Sequence, residues 1–397
     1  MTEQQNTLIL LIKSALTGER YDLPDGIGLK DVFGIAKRHG VDVMAYYGAL
    51  NCGVDKQSDV MNEEVIRVYK SASRSETQMM EINRLTEAFE RKKIDYLPLK
   101  GMLLKPIYPK SEMRRMGDAD ILIRCEQYEV ISAVMKELGY EEKYESDHEL
   151  AWKKGQVLVE LHKRLIPSYN KDYYAYYGDG WNIAKPSDEN TCRYKMDAED
   201  EMVYLFTHFA KHYRDAGIGI RHLVDLWVYR RCYPDLNEEY VRTELGKLQL
   251  LEFYDNILDT LQSWLGIFPG NDKTEFITQV IFTSGEFGRS HNSKLSSALK
   301  TSKGGRTVNE VKRKRVLNLF FPAYSVMCEK YNILKKAPAL LPVMWVVRAF
   351  DKKSKIKTIG KIVNEQLSFT PNEVSAYQQS LNYVGLDYYF SEDSDCL

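Results

Sequence analysis

Apolar residues recur at intervals of three and four along the first ninety residues, which is the spacing of one buried face of an α-helix. The pattern begins within residues 8–15, recurs in 29–39 and 42–50, and continues from about residue 62 to 92 with no proline to interrupt it. It therefore predicts a helical region over residues 1–92.

The pattern changes after residue 92 to short apolar runs separated by turn-forming residues. Such runs around a single helical segment are typical of a compact unit of mixed helix and strand. The sequence predicts this unit over residues 93–185. Its expected elements are a strand at 94–99, a short helix at 101–107, a strand at 118–123, a helix at 128–138 and a hairpin of strands at 148–152 and 156–162.

Helical spacing returns after the tyrosine-rich segment 169–177, which itself is predicted to be a loop. Val203, Phe206, Phe209 and Ala210 give the first of these later helices a buried stripe. The chain is therefore predicted to have an α+β fold, in which a small mixed sheet is embedded in helical N- and C-terminal regions. The predicted boundaries after the sheet are a helical region at 186–283, a mobile basic loop at 284–313, C-terminal helices at 314–365 and a tail at 366–397.

Composition excludes several classes of protein. The formal net charge of −1 provides no global basic field for nucleic acid. The six cysteines include no Cys-x-x-Cys pair, which argues against a structural zinc site and indicates a reducing, cytoplasmic compartment. The apolar stretch 337–347 contains two prolines and is shorter than the ~20 residues of a membrane span, so it predicts a buried helix or an exposed docking patch. Neither a Walker A loop nor a Rossmann glycine motif occurs.

Three acidic residues on two predicted strands carry the strongest chemical signal. Alternate residues of a strand share a face, so Asp118 and Asp120 project together, and on the later strand Glu160 shares a face with His162. If the two strands are neighbours, the three carboxylates converge, and a divalent cation would offset their repulsion. The three acids are therefore predicted to bind Mg²⁺ or Mn²⁺ and to catalyse phosphoryl transfer. The alternative is that they are solvated strand ends, with Glu160 paired to a nearby basic residue.

Basic residues and a glycine that precede the acids are suited to phosphate. Lys100 and Gly101 lie at a predicted strand-to-helix turn, where glycine lets the backbone approach an anion and N–H groups are free to bind it. Arg114 and Arg115 lie just before the acids, where guanidinium groups can hold triphosphate oxygens. These four residues are predicted to bind the nucleotide.

The ordered set of these motifs resembles the uncharacterised bacterial nucleotidyltransferase-like family of the DNA polymerase β superfamily. The resemblance implies a small mixed sheet that carries the acids, and metal-dependent transfer of a nucleoside monophosphate from a nucleoside triphosphate. It also implies that Asp118 and Asp120 bind both metal ions and that Glu160 completes the metal site. The segments that carry the resemblance are Leu99–Gly101, Arg115–Ile123, Leu138–Tyr140 and Val159–His162, and further along the chain Ala36–Val41, His208, His212, Arg221–Leu226 and Phe321–Arg348.

The chain departs from the superfamily pattern at three points. Gly101-Met102 stands where the superfamily has Gly-Ser or Gly-Gly, 16 residues separate Gly101 from Asp118, and the third acid is glutamate. These departures concern the residues that are expected to position the triphosphate. They motivate an alternative function, in which the chain binds a nucleotide or a partner protein without catalysing transfer.

Three histidines are predicted to contact substrate, namely His162, His208 and His212. The last two are spaced i, i+4, which can bind zinc, but the glutamate of a His-Glu-x-x-His motif is missing. The alternative for His208 and His212 is that they line a seam between domains or hydrogen-bond in a core, and the alternative for His162 is that it packs beside the sheet. Asp225 follows Arg221 at i+4, which predicts an ion pair on the surface of a helix.

The sequence does not identify the acceptor, which is expected to be a hydroxyl or phosphate group on a small molecule, a glycan or a protein. RNA binding through the basic residues 300–315 is a further alternative, although the near-zero net charge argues against nucleic acid. A solvated loop is the other interpretation of that basic run, and the same holds for the lysines within 352–361.

Overall fold

The computed structural model describes residues 1–286, 288–303, 317, 320–322, 324, 327–328, 331, 333–350 and 369–388. The chain forms two compact units, one of residues 1–289 with 383–397 and the other of residues 290–382. All the predicted site residues lie in the first unit.

Four helices form the N-terminal region, as the apolar spacing predicts. A reciprocal pair of hydrogen bonds between Thr2 and Gln5 caps the first of them. A Cβ atom at Gly48 would lie 1.9 Å from the carbonyl oxygen of Leu11, so glycine is required where the first and third helices touch. The four helices are α1 (Glu3–Thr17), α2 (Leu29–Arg38), α3 (Asp42–Asn51) and α4 (Asp59–Arg91).

The sheet has five strands in the spatial order β1-β2-β5-β4-β3. Strands β2 and β5 are parallel and the other neighbours are antiparallel, so the predicted mixed sheet is confirmed. The parallel pairing places Asp120 directly opposite Glu160. The strands are β1 (Tyr96–Pro98), β2 (Ala119–Ile123), β3 (Glu141–Glu145), β4 (Glu149–Lys154) and β5 (Val157–His162), and the helices between them are α5 (Gly101–Leu104) and α6 (Tyr128–Glu137).

One face of the sheet packs into a hydrophobic core of the first unit. Ile121 and Val159 lie on this face and pack with Phe89 of α4 and Ile131 of α6, all essentially inaccessible to solvent. Because side chains alternate along a strand, burying this set directs Asp120, Glu160 and His162 to the opposite face. The polar side of the sheet is thereby left to form a site.

Further helices follow the sheet and complete the first unit. The predicted stripe of Val203, Phe206, Phe209 and Ala210 is buried, as expected. These helices are α7 (Lys171–Tyr177), α8 (Ala198–Asp215), α9 (Ile220–Cys232), α10 (Glu238–Lys247), α11 (Leu251–Trp264) and α12 (Asp272–Ser284), and a short pair of strands, β6 (Lys185–Pro186) and β7 (Tyr194–Lys195), precedes α8.

The structure corrects two predicted loops. Residues Lys171–Tyr177 are a helix because Tyr173 and Tyr177, four residues apart, are both buried, and the hydroxyl of Tyr177 lies 2.9 Å from Oγ1 of Thr207. Ser290–Lys303 is also helical rather than a mobile loop, since it contains a small buried stripe of Leu295, Ala298 and Leu299. The remainder of that predicted loop, residues 304–313, lies outside the described residues.

The second unit and the C-terminal segment are described in part. Within the second unit, Ile333–Lys336 and Leu341–Phe350 are helices, and Pro371–Tyr383 is a helix within the segment predicted as a tail. Val343 and Val346 are more than half exposed, which agrees with an exposed apolar patch at 337–347. Among the described residues, no helix is both long enough and apolar enough to cross a membrane. The basic run 312–315 and the lysines within 352–361 lie outside the described part of the chain.

Candidate active site

A cavity of about 530 Å³ lies over the polar face of the sheet, within the first unit. Strands β2 and β5 form one wall, and α8 with α9 forms the facing wall. Every residue that the sequence predicts for the site lines this cavity: Lys100, Gly101, Arg114, Arg115, Asp118, Asp120, Glu160, His162, His208 and His212. The fold therefore brings together residues that are more than one hundred positions apart.

The acids converge because β2 and β5 are adjacent. One ligand atom from each of Asp120, Glu160 and His162 lies within 4.8 Å of the others, an arrangement that can hold a metal ion. Asp118 precedes β2 and lines the same cavity but is not part of this closest group. The predicted set of three carboxylates thus becomes two carboxylates and an imidazole, with a third carboxylate beside them.

Lys100 forms a close ion pair with Asp120. Its Nζ atom lies 2.8 Å from Oδ1, and Nε2 of His162 lies 2.7 Å from the same oxygen. Burial alone would raise the pKa of Asp120, but the charge of Lys100 and the hydrogen bond from His162 hold that pKa well below its usual range. Asp120 is therefore an ionised carboxylate at neutral pH.

The backbone of Lys100 is strained. Its φ of 44° and ψ of −106° lie outside the regions that residues with a Cβ atom prefer. Such a conformation costs on the order of 1–3 kcal/mol and is concentrated at functional sites. The strain orients the turn between β1 and α5 so that the lysine reaches the acid on β2.

Glu160 lies in a different electrostatic environment. Burial raises its pKa to about 7, and the charges of Asp118 and Glu149 contribute to the increase. The hydroxyl of Tyr144 lies 2.9 Å from Oε1 of Glu160 and 3.0 Å from Oε1 of Glu149. Two carboxylates therefore compete for the one proton that this phenol can donate.

Strand β4 contributes site residues that the sequence analysis did not identify. His148, just before β4, and Glu149 at its start line the cavity, and Nε2 of His148 lies 2.9 Å from Oε2 of Glu149. Burial opposes ionisation of Glu149, but the hydrogen bond from His148 lowers its pKa to about 2. The register of β4 with β5 places Glu149 opposite His162, and the predicted hairpin did not specify this register.

The arginines of the cavity wall are held by carboxylates. Arg114 makes two hydrogen bonds to Asp225, from Nε at 2.9 Å and from Nη2 at 3.0 Å, and it is buried. Nη2 of Arg115 lies 2.6 Å from Oδ2 of Asp42. Both arginines thus have fixed orientations on the cavity wall.

The predicted surface ion pair between Arg221 and Asp225 is wrong. Arg221 instead pairs with Glu286 at 2.7 Å and also donates to the carbonyl oxygen of Arg115 at 3.2 Å. Asp225 forms an ion pair with the buried Arg114, because helix α9 faces the cavity rather than solvent. Arg221 is a further cationic residue of the cavity, and the sequence analysis did not assign it a site role.

Gly101 allows close packing at the turn after β1. A Cβ atom at this position would lie 2.7 Å from Sδ of Met116 and 3.1 Å from Nη1 of Arg114. No larger residue fits without displacing these side chains. Glycine is therefore required for the close packing of this turn against Met116 and Arg114.

Histidines line the helical wall. The Nε2 atoms of His208 and His212 lie 3.0 Å apart on α8, so one imidazole donates a hydrogen bond to the other. Burial and the nearby charges of Lys100 and Lys211 lower the pKa of both well below the usual value. His222 on α9 also lines the cavity, and burial lowers its pKa to about 3. The three imidazoles are therefore neutral at physiological pH and provide hydrogen-bonding groups.

The residues present fit a divalent cation. Asp120 and Glu160 supply oxygen ligands, and His162 supplies a nitrogen. Burial raises the pKa of Asp118, and the negative charge of Asp120 raises it further. The cations near Asp118 therefore do not fully offset the charge of its carboxylate. A bound cation would stabilise all three carboxylates, which crowd a partly buried site with Lys100 as the nearest cation.

The chain was compared with sequence families, with curated proteins and with solved structures. The structure of the antibiotic-resistance factor ANT(2'')-Ia, determined in solution, is similar at 14% sequence identity, with 43% of this chain and 91% of that chain covered and a TM-score of 0.33. A comparison with curated proteins finds no match. A sequence family described as uncharacterised nucleotidyltransferase matches residues 25–266, a range that contains β1 to β5, α8 and α9. The chain therefore belongs to this family of uncharacterised nucleotidyltransferases.

Proposed function

We propose that the protein transfers a nucleoside monophosphate from a nucleoside triphosphate to a hydroxyl or phosphate acceptor, with Mg²⁺ or Mn²⁺ as the cofactor. The pairing of Asp120 with Glu160 across β2 and β5 carries the proposal, because it concentrates carboxylates at one point of a cavity. In this reaction an acceptor oxygen bonds to the α-phosphorus, the bond from phosphorus to pyrophosphate breaks, and the acceptor proton leaves to a base.

The acids on the sheet are assigned to the metal. Asp120, Glu160 and Asp118 would hold it, with His162 available as a nitrogen ligand or as the donor that orients Asp120. When bound, a divalent ion would neutralise the triphosphate charge and activate the acceptor oxygen. The carboxylates themselves fix the position of this charge relative to both substrates.

The cationic side of the cavity is assigned to the triphosphate. Arg115 and Arg221 are partly exposed there, and the ion pairs of Arg221 with Glu286 and of Arg114 with Asp225 fix those guanidinium groups. Preorganised cations suit phosphoryl transfer, since most of the catalysis comes from positioning and charge neutralisation.

The neutral histidines of α8 are assigned to the acceptor. His208 and His212 provide hydrogen-bonding groups without a net charge. Tyr169 borders the same cavity and offers an aromatic surface. These groups are suited to an uncharged polar acceptor such as a hydroxyl compound.

Nucleotide binding is tested by thermal unfolding with ATP, GTP, CTP and UTP, each with Mg²⁺, Mn²⁺ or a chelator. A ligand at one hundred times its Kd stabilises the folded state by about 2.7 kcal/mol. We expect stabilisation that requires the metal and is lost in the double variant Asp118→Asn with Asp120→Asn. Asp95→Asn is the matched control, because Asp95 pairs with Arg124 and does not line the cavity.

Transfer itself is tested by pyrophosphate release in a screen of acceptors. Metal-dependent binding with no release for any acceptor would favour the non-catalytic alternative. Full activity of the double variant would disprove the assignment of the acids.

A further inference from the structure

The ammonium of Lys100 and the imidazole of His162 both contact the same oxygen of Asp120. Nζ of Lys100 lies 2.8 Å and Nε2 of His162 lies 2.7 Å from Oδ1. Within the described part of the chain, no other group donates a hydrogen bond to this carboxylate. Asp120 is thus already neutralised by a cation that belongs to the protein.

This contact conflicts with the function assigned to Asp120. A divalent ion bound by Asp120 would face the ammonium of Lys100 at short range, and like charges repel strongly in a partly buried site. The divalent ion and the ammonium of Lys100 therefore compete for the negative charge of the same carboxylate. Metal binding must therefore weaken or break the contact between Lys100 and Asp120.

We propose that Lys100 is an internal counter-ion, which neutralises Asp120 until a divalent ion binds and is then released to the phosphates of the nucleotide. This inference rests on the proposed function, since it concerns the same metal and the same triphosphate. It assigns Lys100 two positions, one in the free protein and one in the loaded protein, and it makes metal and nucleotide bind cooperatively.

The local structure permits this exchange. The backbone of Lys100 is fixed by its neighbours, because its carbonyl oxygen accepts hydrogen bonds from the N–H groups of Leu103 and Leu104, and the N–H of Leu99 donates to the carbonyl oxygen of Asp120. The side chain has four flexible methylene groups, lines the cavity and is 17% exposed. The ammonium can therefore move within the cavity while the strained turn stays in place.

The proposal has a signature that other roles of Lys100 do not share. Removing the ammonium frees Asp120, so the metal alone binds more tightly. The same change removes a cation from the phosphates, so a phosphate ligand binds the metal-loaded protein more weakly. A lysine that only supports the fold would weaken both ligands, and one that only binds phosphate would leave the affinity for metal unchanged.

The experiment measures Mn²⁺ binding to the full chain by electron paramagnetic resonance, and then titrates manganese tripolyphosphate into the Mn²⁺-loaded protein by calorimetry. Tripolyphosphate serves as the probe because it does not depend on the preferred base. For Lys100→Met we expect Mn²⁺ affinity to rise at least tenfold and tripolyphosphate affinity to fall at least tenfold. Lys100→Arg keeps the charge and should stay within about threefold of wild type for Mn²⁺.

Lys154→Met is the matched control, because Lys154 pairs with Glu81 at 2.7 Å and does not line the cavity. It should leave Mn²⁺ affinity near the wild-type value, and circular dichroism confirms that each variant is folded. An unchanged or lower Mn²⁺ affinity in folded Lys100→Met would overturn the inference while leaving the proposed function intact. Absence of Mn²⁺ binding in the wild type, or binding that survives in Asp120→Asn, would overturn the proposed metal site as well.

Discussion

The hydroxyl of Tyr144 on β3 lies 2.9 Å from Oε1 of Glu160 on β5, although β4 separates the two strands in the sheet. The same hydroxyl lies 3.0 Å from Oε1 of Glu149. Because a phenol donates one proton, it holds one carboxylate and leaves the other dependent on a different donor. Tyr144 thus reaches across β4 to orient the third acid of the site.

Tyr144→Phe removes this donor and keeps the ring. We expect transfer activity or, if no acceptor is known, Mn²⁺ affinity to fall at least tenfold, because a lost hydrogen bond to a charged group costs roughly 1.5–3 kcal/mol. Tyr240→Phe is the matched control, since the hydroxyl of Tyr240 bonds to Asp200 at 2.7 Å outside the cavity. Equal effects of the two substitutions would contradict the conclusion that Tyr144 orients Glu160.

Glu160 is predicted to destabilise the metal-free protein at alkaline pH. Its pKa is raised to about 7, with burial as the first cause, so the folded state retains a proton that the unfolded state has lost. The contribution of this group to stability is complete below the unfolded pKa of about 4.5 and is lost as the pH rises through about 7.

Glu160→Gln should therefore increase the free energy of unfolding at pH 8 by about 1–2 kcal/mol, a value reduced for solvent screening. The difference from wild type should shrink toward pH 5. Urea unfolding with chelator at both pH values measures it. A stability difference that does not depend on pH would show that Glu160 does not titrate in this range.

Gly101→Ala is predicted to disturb the turn after β1. The added Cβ atom would lie 2.7 Å from Sδ of Met116 and 2.8 Å from its Cγ, and Met116 is buried. Overpacking of this kind costs about 1–3 kcal/mol. We expect this loss of stability together with weaker nucleotide binding, measured by chemical unfolding and thermal shift.

A double-variant cycle locates the cause. If the clash with Met116 is responsible, Gly101→Ala should cost less than 0.5 kcal/mol, roughly the scatter of independent sites, in a Met116→Ala background. An undiminished cost there would place the effect in the backbone rather than in this contact.

Removal of one partner of the buried ion pair between Arg114 and Asp225 is predicted to lower the free energy of unfolding strongly. Asp225 also accepts a hydrogen bond from the hydroxyl of Tyr108 at 2.6 Å. Asp225→Asn leaves the buried guanidinium without its counter-charge, so we expect a loss of about 3–5 kcal/mol in the free energy of unfolding.

The matched control is Asp255→Asn. Arg242 and Asp255 form an ion pair at 2.6 Å, but their side chains are 40% and 43% exposed. Such a pair contributes about 0–1 kcal/mol, so its loss should be small. Comparable losses in the two variants, measured by urea unfolding, would contradict the buried role of Asp225.

The acids of the site could be predicted because their placement follows from local alternation. Asp120 and Glu160 each lie on the opposite face of a strand from apolar neighbours that must be buried. The family resemblance added the order of the motifs, and the matching sequence family confirms the family. The adjacency of β2 and β5 required the fold itself.

The supporting contacts could not be predicted, because they join distant segments. Arg114 and Asp225 are 111 residues apart, and Arg221 and Glu286 are 65 apart, so no local spacing indicates either pair. The i+4 spacing of Arg221 and Asp225 even suggested the wrong partner. The orientation of α9 toward the cavity decided between them.

The parallel pairing of β2 with β5 also has a consequence for how the chain folds. Strands β3, β4 and β5 follow one another along the chain and can pair through two short turns, whereas Asp120 and Glu160 are 40 residues apart. Long-range pairings form more slowly than local ones, because closing a longer loop costs more entropy. Contact order thus favours formation of the β3–β5 meander before it pairs with β2, and the carboxylates of Asp120 and Glu160 meet only in that later pairing.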